Sequence, residues 1–216
     1  MENFKTPYFS STVKEFWSRW HISLSSWFRD YVYIPLGGNR VSKFRHQLNL
    51  LITFLVSGLW HGANWTFVIW GLIHAVAQVI ENILHIRADK KGKVNRFVST
   101  VFVIVFVCFA WIFFRAQSLS EAIYVISHMF TGISEPLKYI SDGILEAGMT
   151  RPRFIACVCG YILPLAVYDY FAKKTDVIEW ISNRPAVLRH LIYGILVVAV
   201  IFFHAIGEVS FVYFQF

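Results

Sequence analysis

Between residues 48 and 84 the chain runs for 37 residues with a single charged side chain, Glu81. A helix crosses the hydrocarbon core of a bilayer with about 20 residues, so this stretch is too long for one straight span. It must fold back on itself or break. Gly58 and Gly62 bracket Leu59-Trp60-His61 near its middle. A break at 58–62 divides the stretch into a short entering helix from Leu48 and a full-length one from about Ala63. Three other stretches fit single spans: residues 97–114 without a charge, residues 154–171 with Asp169 near the end, and residues 191–206.

The remaining chain agrees with this reading. Hydrophobic residues make up 56% of the 216 and charged ones only 15%, and the mean hydropathy is +0.53. The net charge of +7 comes from short Lys and Arg clusters between apolar runs, at residues 40–45, 87–96 and 173–189, rather than from one polar face. That distribution argues against nucleic acid and matches the loops of a membrane protein under the positive-inside rule. With all three clusters on the cytoplasmic side, residues 48–84 form a re-entrant or two-pass hairpin and residues 115–153 lie outside. Residues 1–11 lack the anatomy of a signal peptide, so membrane entry is expected from later segments or from residues upstream. The fold class expected is all-α: a polytopic membrane protein with transmembrane helices, a re-entrant or broken helix and an amphipathic interfacial helix.

The interfacial helix is expected over residues 13–31. Val13, Trp17, Trp20, Leu24, Phe28 and Tyr31 recur at helical spacing, with Lys14, Ser18, Ser25, Ser26 and Arg29 opposite. Pro35 and Gly37-Gly38 end it. In the 115–153 connection, Ser118 and Glu121 make a capping box that starts a short amphipathic surface helix.

Ionisable side chains at membrane depth are expensive and mark polar cavities or reaction paths, which singles out His61 in Gly-Leu-Trp-His-Gly-Ala-Asn-Trp. Position alone fits equally well a histidine satisfied by a neighbouring helix carbonyl. Gly58 and Gly62 favour function, because residues without a Cβ let a substrate or another backbone come close. Asn64 can hold the imidazole tautomer or donate to a developing oxyanion. His21, between Trp17 and Leu24 on the apolar face, reads on its own as an interfacial histidine with its polar edge in water. His74 and His204 read as structural, and His46, His85, His128 and His190 sit at segment ends or on surface helices. Cys108, Cys157 and Cys159 lie in apolar runs without zinc or CxxC spacing, so neither a disulfide nor a metal site is expected. With no nucleophile elbow, Walker loop or dinucleotide fingerprint, histidine is the base available to an enzyme here.

The runs EFWSRWHISLSSWFRDYVYIPLGGNR (residues 15–40) and SGLWHGANWTFVIWGLIHA (residues 57–75) resemble the membrane-bound O-acyltransferase family. The IPLGGNR run is similar to its alginate, peptidoglycan and cellulose O-acetylation branch, and the resemblance continues through FRAQSLSEA to the terminal FVYFQF. It implies that residues 1–216 are the C-terminal portion of that domain, without its N-terminal helices, in a bacterial plasma membrane. It also implies catalytic roles for His61 and His21, with Trp60, Gly62 and Asn64 on the substrate side. Function would then be transfer of an acyl group, acetyl above all, to hydroxyls of an exported envelope polysaccharide. An acyl thioester such as acetyl-CoA would be the donor substrate, with no bound cofactor, in membrane lipid, and an extracytoplasmic acetyltransferase would be the partner. Two other readings stay open: a conduit or transporter-like subunit in which the histidines relay protons without doing chemistry, and an inactive fragment.

Overall fold

The computed structural model describes residues 3–88, 92–146, 150–173 and 175–203. Regular structure among them is helical throughout: α1 (Val13–Trp17), α2 (Ile22–Phe28), α3 (Lys43–His61), α4 (Trp65–Ile83), α5 (Lys93–Arg115), α6 (Leu119–His128), α7 (Pro136–Glu146), α8 (Arg151–Cys157), α9 (Leu163–Ala172), α10 (Val177–Ser182) and α11 (Ala186–Phe203). The chain divides into two compact units, residues 3–129 and residues 130–203 of the described chain.

The long apolar stretch is a helical hairpin. Its break falls at residues 62–64, just past His61, so the entering helix is not short: α3 has 19 residues, as does α4. At 1.5 Å per residue each is about 28 Å long. The hydrophobic pattern showed α3 only from Leu48, but Ser42 caps it earlier by accepting the N–H of Arg45 at 3.3 Å, which carries the helix through exposed Lys43 and Arg45. Asn64 starts α4 in the same manner, accepting from Thr66 N–H at 3.1 Å.

Two glycines let α3 and α4 close together. A Cβ on Gly71 would run into the carbonyl of Phe54 and lie 3.6 Å from the backbone nitrogen of Gly58, while one on Gly58 would strike the Phe67 carbonyl. Small residues at helix crossings serve in membranes for this reason: apolar side chains gain little by leaving lipid, so close backbone packing carries the association. Against this hairpin α5 packs Ala110 and Phe113, which join Trp70, Ala116 and Ala122 in one buried cluster. Phe16, Val103 and Val107 form a second, where α1 meets α5. Outward-facing α5 residues such as Phe97 and Phe102 stay exposed, as a lipid-facing surface does.

The N-terminal segment departs from the single helix expected over residues 13–31. Two short helices flank a turn in which His21 adopts φ +45°, and a π turn over Arg29–Tyr33 follows. The cause is tertiary. Lys5 N–H donates to Arg19 O and Ile22 N–H to Asn3 O, both at 2.9 Å, so the preceding segment takes the groups that an unbroken helix would pair internally. Periodicity carries no trace of such partners. The polar side stays wet: exposed Arg29 donates to Asp30 at 2.7 Å, and that hydrogen bond holds the Asp30 carboxyl below its usual range. The loop beyond, with Gly37 and Gly38 at positive φ, is tied to α3 by Asn49, whose Nδ2 donates to Leu36 O at 3.1 Å and Gly38 O at 3.0 Å.

The expected cap forms, with Ser118 accepting Glu121 N–H at 3.2 Å, but the return arm of the box is shifted by one residue: Glu121 accepts Gln117 N–H at 2.8 Å. In the second unit, α8 runs into α9 through a π turn at Val158–Ile162. Pro164, in the first turn of α9, has no N–H to offer the preceding turn, and the ladder widens there. Trp65–Ile83, Val94–Arg115 and Arg151–Ala172 are long and apolar enough to cross a membrane. The last expected span corresponds to α11, which starts at Ala186. Its anticipated end at Ile206, His204 and the terminal FVYFQF run lie outside the described residues.

Gly58→Ala and Gly71→Ala should each destabilise the protein by about 1–3 kcal/mol through overpacking of backbone against backbone. Gly194→Ala, with open space around its Cβ position, should be near neutral. Thermal unfolding of the detergent-solubilised protein separates the two outcomes.

Candidate functional site

His61 is the last residue of α3, so the hairpin turn decides where its ring points. Gly62 makes that turn at φ +155°, ψ +156°, a region essentially restricted to glycine. A Cβ there would also come within 2.8 Å of the Phe67 ring. The turn is held from the other side by Asn64, whose Nδ2 donates to Gln117 O at 2.8 Å. One amide thus caps α4 and ties the turn to the chain leaving α5.

The half-buried imidazole of His61 sits in an aromatic box. Trp60, Trp70 and Phe114 stand edge-on to it with centroids at 5.0, 5.2 and 5.0 Å, and Phe67 is tilted at 6.2 Å. Trp70 and Phe114 also touch each other at 5.2 Å. Three helices contribute walls: α3 through Trp60, α4 through Phe67 and Trp70, α5 through Phe114. Trp60 is itself half exposed and meets Phe28 of α2 at 6.1 Å, so the box borders the segment that carries His21.

His21 occupies the turn between α1 and α2 and lies within electrostatic range of His61. A non-glycine residue at positive φ is uncommon, and such strain gathers at functional sites. His21 stands at the N-cap position of α2 yet makes no side-chain cap. Asn3 does that work instead, its Oδ1 accepting Ser23 N–H at 3.1 Å and its carbonyl accepting Ile22 N–H. The imidazole is left out of the helix-capping network, and its Nδ1 is buried with no hydrogen-bond partner among the described residues.

The structure therefore gathers His61, Trp60 and Gly62 at one point, with His21 on the neighbouring segment within electrostatic range. Asn64 is adjacent, with its oxygen committed to Thr66 and its amide to Gln117. Three residues of the box, Phe67, Trp70 and Phe114, had no place in the sequence reading. Trp70 had a legible signal: Thr66, Trp70, His74 and Gln78 recur every four residues along α4, a stripe on one helix face. Phe114 had none, since it arrives from α5 only through the tertiary fold. His74, read as structural, is fully buried, and its Nδ1 accepts the Trp17 indole N–H at 3.2 Å.

What this arrangement offers chemically is a pair of imidazoles, one in an aromatic enclosure and one in a strained turn, at the break of a membrane-embedded hairpin. Among the described residues no group of three or more His, Cys, Asp or Glu side chains is placed to hold a metal ion.

Comparison with known proteins bears on the same region. The model of MBOAT, the membrane-bound O-acyltransferase family, matches residues 1–120, which include α1 to α5 and both histidines. The chain is 50% identical over 168 residues to the probable alginate O-acetylase AlgI of Azotobacter vinelandii, covering 78% of this chain and 32% of that protein. It is 31% identical over 229 residues to the peptidoglycan O-acetyltransferase of Helicobacter pylori, covering 99% of this chain and 42% of that protein. The teichoic acid D-alanyltransferase of Streptococcus thermophilus is 41% identical over 87 residues, covering 37% of this chain and 21% of that protein. The chain thus spans about a third to two-fifths of the length of the first two relatives. With the family model matched over more than half of its residues and an all-helical, membrane-embedded fold, this chain belongs to the membrane-bound O-acyltransferase family.

Proposed function

We propose that the protein transfers an acyl group, acetyl in the first instance, from a thioester donor to hydroxyls of an exported cell-envelope polysaccharide, with His61 as the base. The observation that carries this reading is the position of His61, at a break in a membrane hairpin, enclosed by Trp60, Phe67, Trp70 and Phe114, with His21 within electrostatic range. The names of the relatives support it: alginate, peptidoglycan and teichoic acid are all envelope polymers, and each relative moves an acyl group.

The chemistry follows from what an imidazole does. A ring nitrogen of His61 takes the proton of the attacking hydroxyl as its oxygen bonds to the thioester carbonyl carbon. The tetrahedral intermediate then collapses, the carbon–sulfur bond breaks, and the thiolate leaves with the proton returned by the imidazolium. The aromatic walls keep bulk water from competing with the acceptor hydroxyl. His21 is the second polar group at the opening, where it orients the acceptor or the thioester. The donor is an acyl thioester such as acetyl-CoA. The attacking hydroxyl belongs either to the polymer itself or to an extracytoplasmic acetyltransferase, which then carries the acyl group on to the polymer.

His61→Ala in the complete protein should lower O-acetylation of the exported polymer by about 10²- to 10⁴-fold at unchanged membrane levels. Undiminished acetylation would remove the catalytic assignment. A pure conduit is recognised by labelled thioester, which would show no His61-dependent loss of its acyl group.

Asn64→Ala removes a cap worth about 0.5–2 kcal/mol together with the strap to Gln117. It should lower both thermal stability and turnover. Asn64→Asp, which keeps the cap and loses the amide donor, should restore most of the stability, as thermal unfolding and acetylation assays read in parallel.

A further inference from the structure

The buried stripe on α4 has a role that the reaction does not use. Thr66, Trp70, His74 and Gln78 are 0%, 3%, 0% and 7% exposed, and polar atoms at this depth in a spanning helix are costly unless they serve something. His74 serves α1. Its Nδ1 accepts the indole N–H of Trp17 at 3.2 Å, and seven residues further along α4 the Glu81 carboxylate accepts Val13 N–H at 2.6 Å and Lys14 N–H at 3.0 Å. Since α1 is Val13–Trp17, one helix holds both of its ends.

The Trp17 contact is specific in direction. An indole N–H can only donate, so Nδ1 of His74 carries the lone pair and the ring is the neutral tautomer with its proton on Nε2. Trp17 also stands edge-on to Phe54, Trp70 and His74 itself, with centroids at 5.4, 5.7 and 5.1 Å. Trp70 is at once a wall of the His61 box and a neighbour of His74 at 5.2 Å. His21 follows Trp17 by four residues, through a turn whose Arg19 and Trp20 N–H groups both return to Phe16 O. The position of α1 on α4 therefore fixes where the His21 turn begins.

We infer that His74 is a positioning residue: its hydrogen bond to Trp17 holds the α1 turn so that His21 faces His61 at the working separation. His74 itself is closed off by Trp17, Phe54, Trp70 and Phe106 and does not meet substrate. The inference rests on the acyl-transfer reading and gives a third histidine a part in it.

The test uses the complete protein in its own membrane, with acetyl-CoA as donor and O-acetyl on the exported polymer as readout. Three variants separate the hydrogen bond from the packing. Trp17→Phe keeps a ring and loses the donor. His74→Leu fills space and loses the acceptor. His74→Asn keeps an acceptor oxygen near the position of Nδ1. Trp17→Phe and His74→Leu should each lower kcat by about 10- to 100-fold, the scale of a small misplacement of reacting groups, with KM for the thioester unchanged. His74→Asn should recover most of the rate, and the Trp17→Phe/His74→Leu double variant should be no worse than either single one, because all remove one hydrogen bond. Wild-type turnover in Trp17→Phe overturns the inference, and so does a His74→Asn variant as impaired as His74→Leu. Should His74→Leu fail to reach the membrane, Trp17→Phe and His74→Asn decide alone. His61→Ala run alongside separates the two levels: full activity in that variant removes the acyl-transfer reading, whereas an inactive His61→Ala with an unimpaired Trp17→Phe removes only the positioning role.

Discussion

The contact of α3 with α4 at Gly58 and Gly71 determines how the rest of the first unit can be arranged. Inside a bilayer, helices gain little from burying apolar side chains against one another, so they must associate by shape and by hydrogen bonds. With the backbones drawn together there, the turn that joins the two helices has to be short and sharp. Gly62 supplies the backbone angles and Asn64 the cap. His61 is consequently fixed at the tip of a stiff hairpin rather than on a flexible loop, and Phe67 and Trp70 of the facing helix come into contact with its ring. The histidine is held by the packing of its neighbours, as a reacting group must be if its geometry is to survive thermal motion.

The same helix organises the polar contacts. Glu81 engages the first N–H groups of α1, a place where a carboxylate is favoured both by the unpaired donors and by the helix dipole. Hydrogen bonds to a charged group contribute about 1.5–3 kcal/mol each, enough to outweigh the weak intrinsic tendency of a five-residue helix to form. Glu15 continues the pattern from the other side: it accepts Ser11 N–H at 2.7 Å and pairs with Arg19 at 2.7 Å and with Arg96 of α5 at 3.1 Å. A short helix that would not persist alone is thereby pinned to α4 and α5, and the strained His21 turn is carried by those contacts rather than by its own sequence.

How much of this was legible in the sequence depends on whether the signal was local. The spanning helices, the break beside His61 and the Ser118 cap could be read, because each depends on residues close together in the chain. The start of α3 at Lys43 was missed, since a serine cap and a basic first turn lie outside the apolar pattern that defines a membrane segment. The helix over residues 13–31 was misread for the opposite reason: its amphipathic spacing is real, with Val13 and Phe28 buried and Lys14 and Arg29 exposed, but Asn3 and Lys5 break the helix from a distance. Of the candidate site, depth and glycine spacing single out His61 and Gly62. The box around them was not read: Phe114 is brought in by α5 and leaves no local signal, and the signal for Trp70, its place in the stripe with Thr66, His74 and Gln78, marks a buried face without marking a site.

His74 shows why that last class of residue is hard to read. In sequence it is a histidine in an apolar run, the same description that fits His61. The two differ in what their rings meet. His61 ends a helix at a turn, half-buried and next to the half-exposed Trp60. His74 is in mid-helix, wholly enclosed, with Nδ1 already given to Trp17. Burial alone would have ranked His74 above His61 as a functional residue, since it is the more deeply placed of the two. Access reverses that order: a base must be reachable, while a residue that aligns other groups is best enclosed, where few alternative rotamers or solvent molecules can loosen its contact. The two histidines of α3 and α4 are thus suited to different tasks by the same hairpin, one at its turn and one along its packed face.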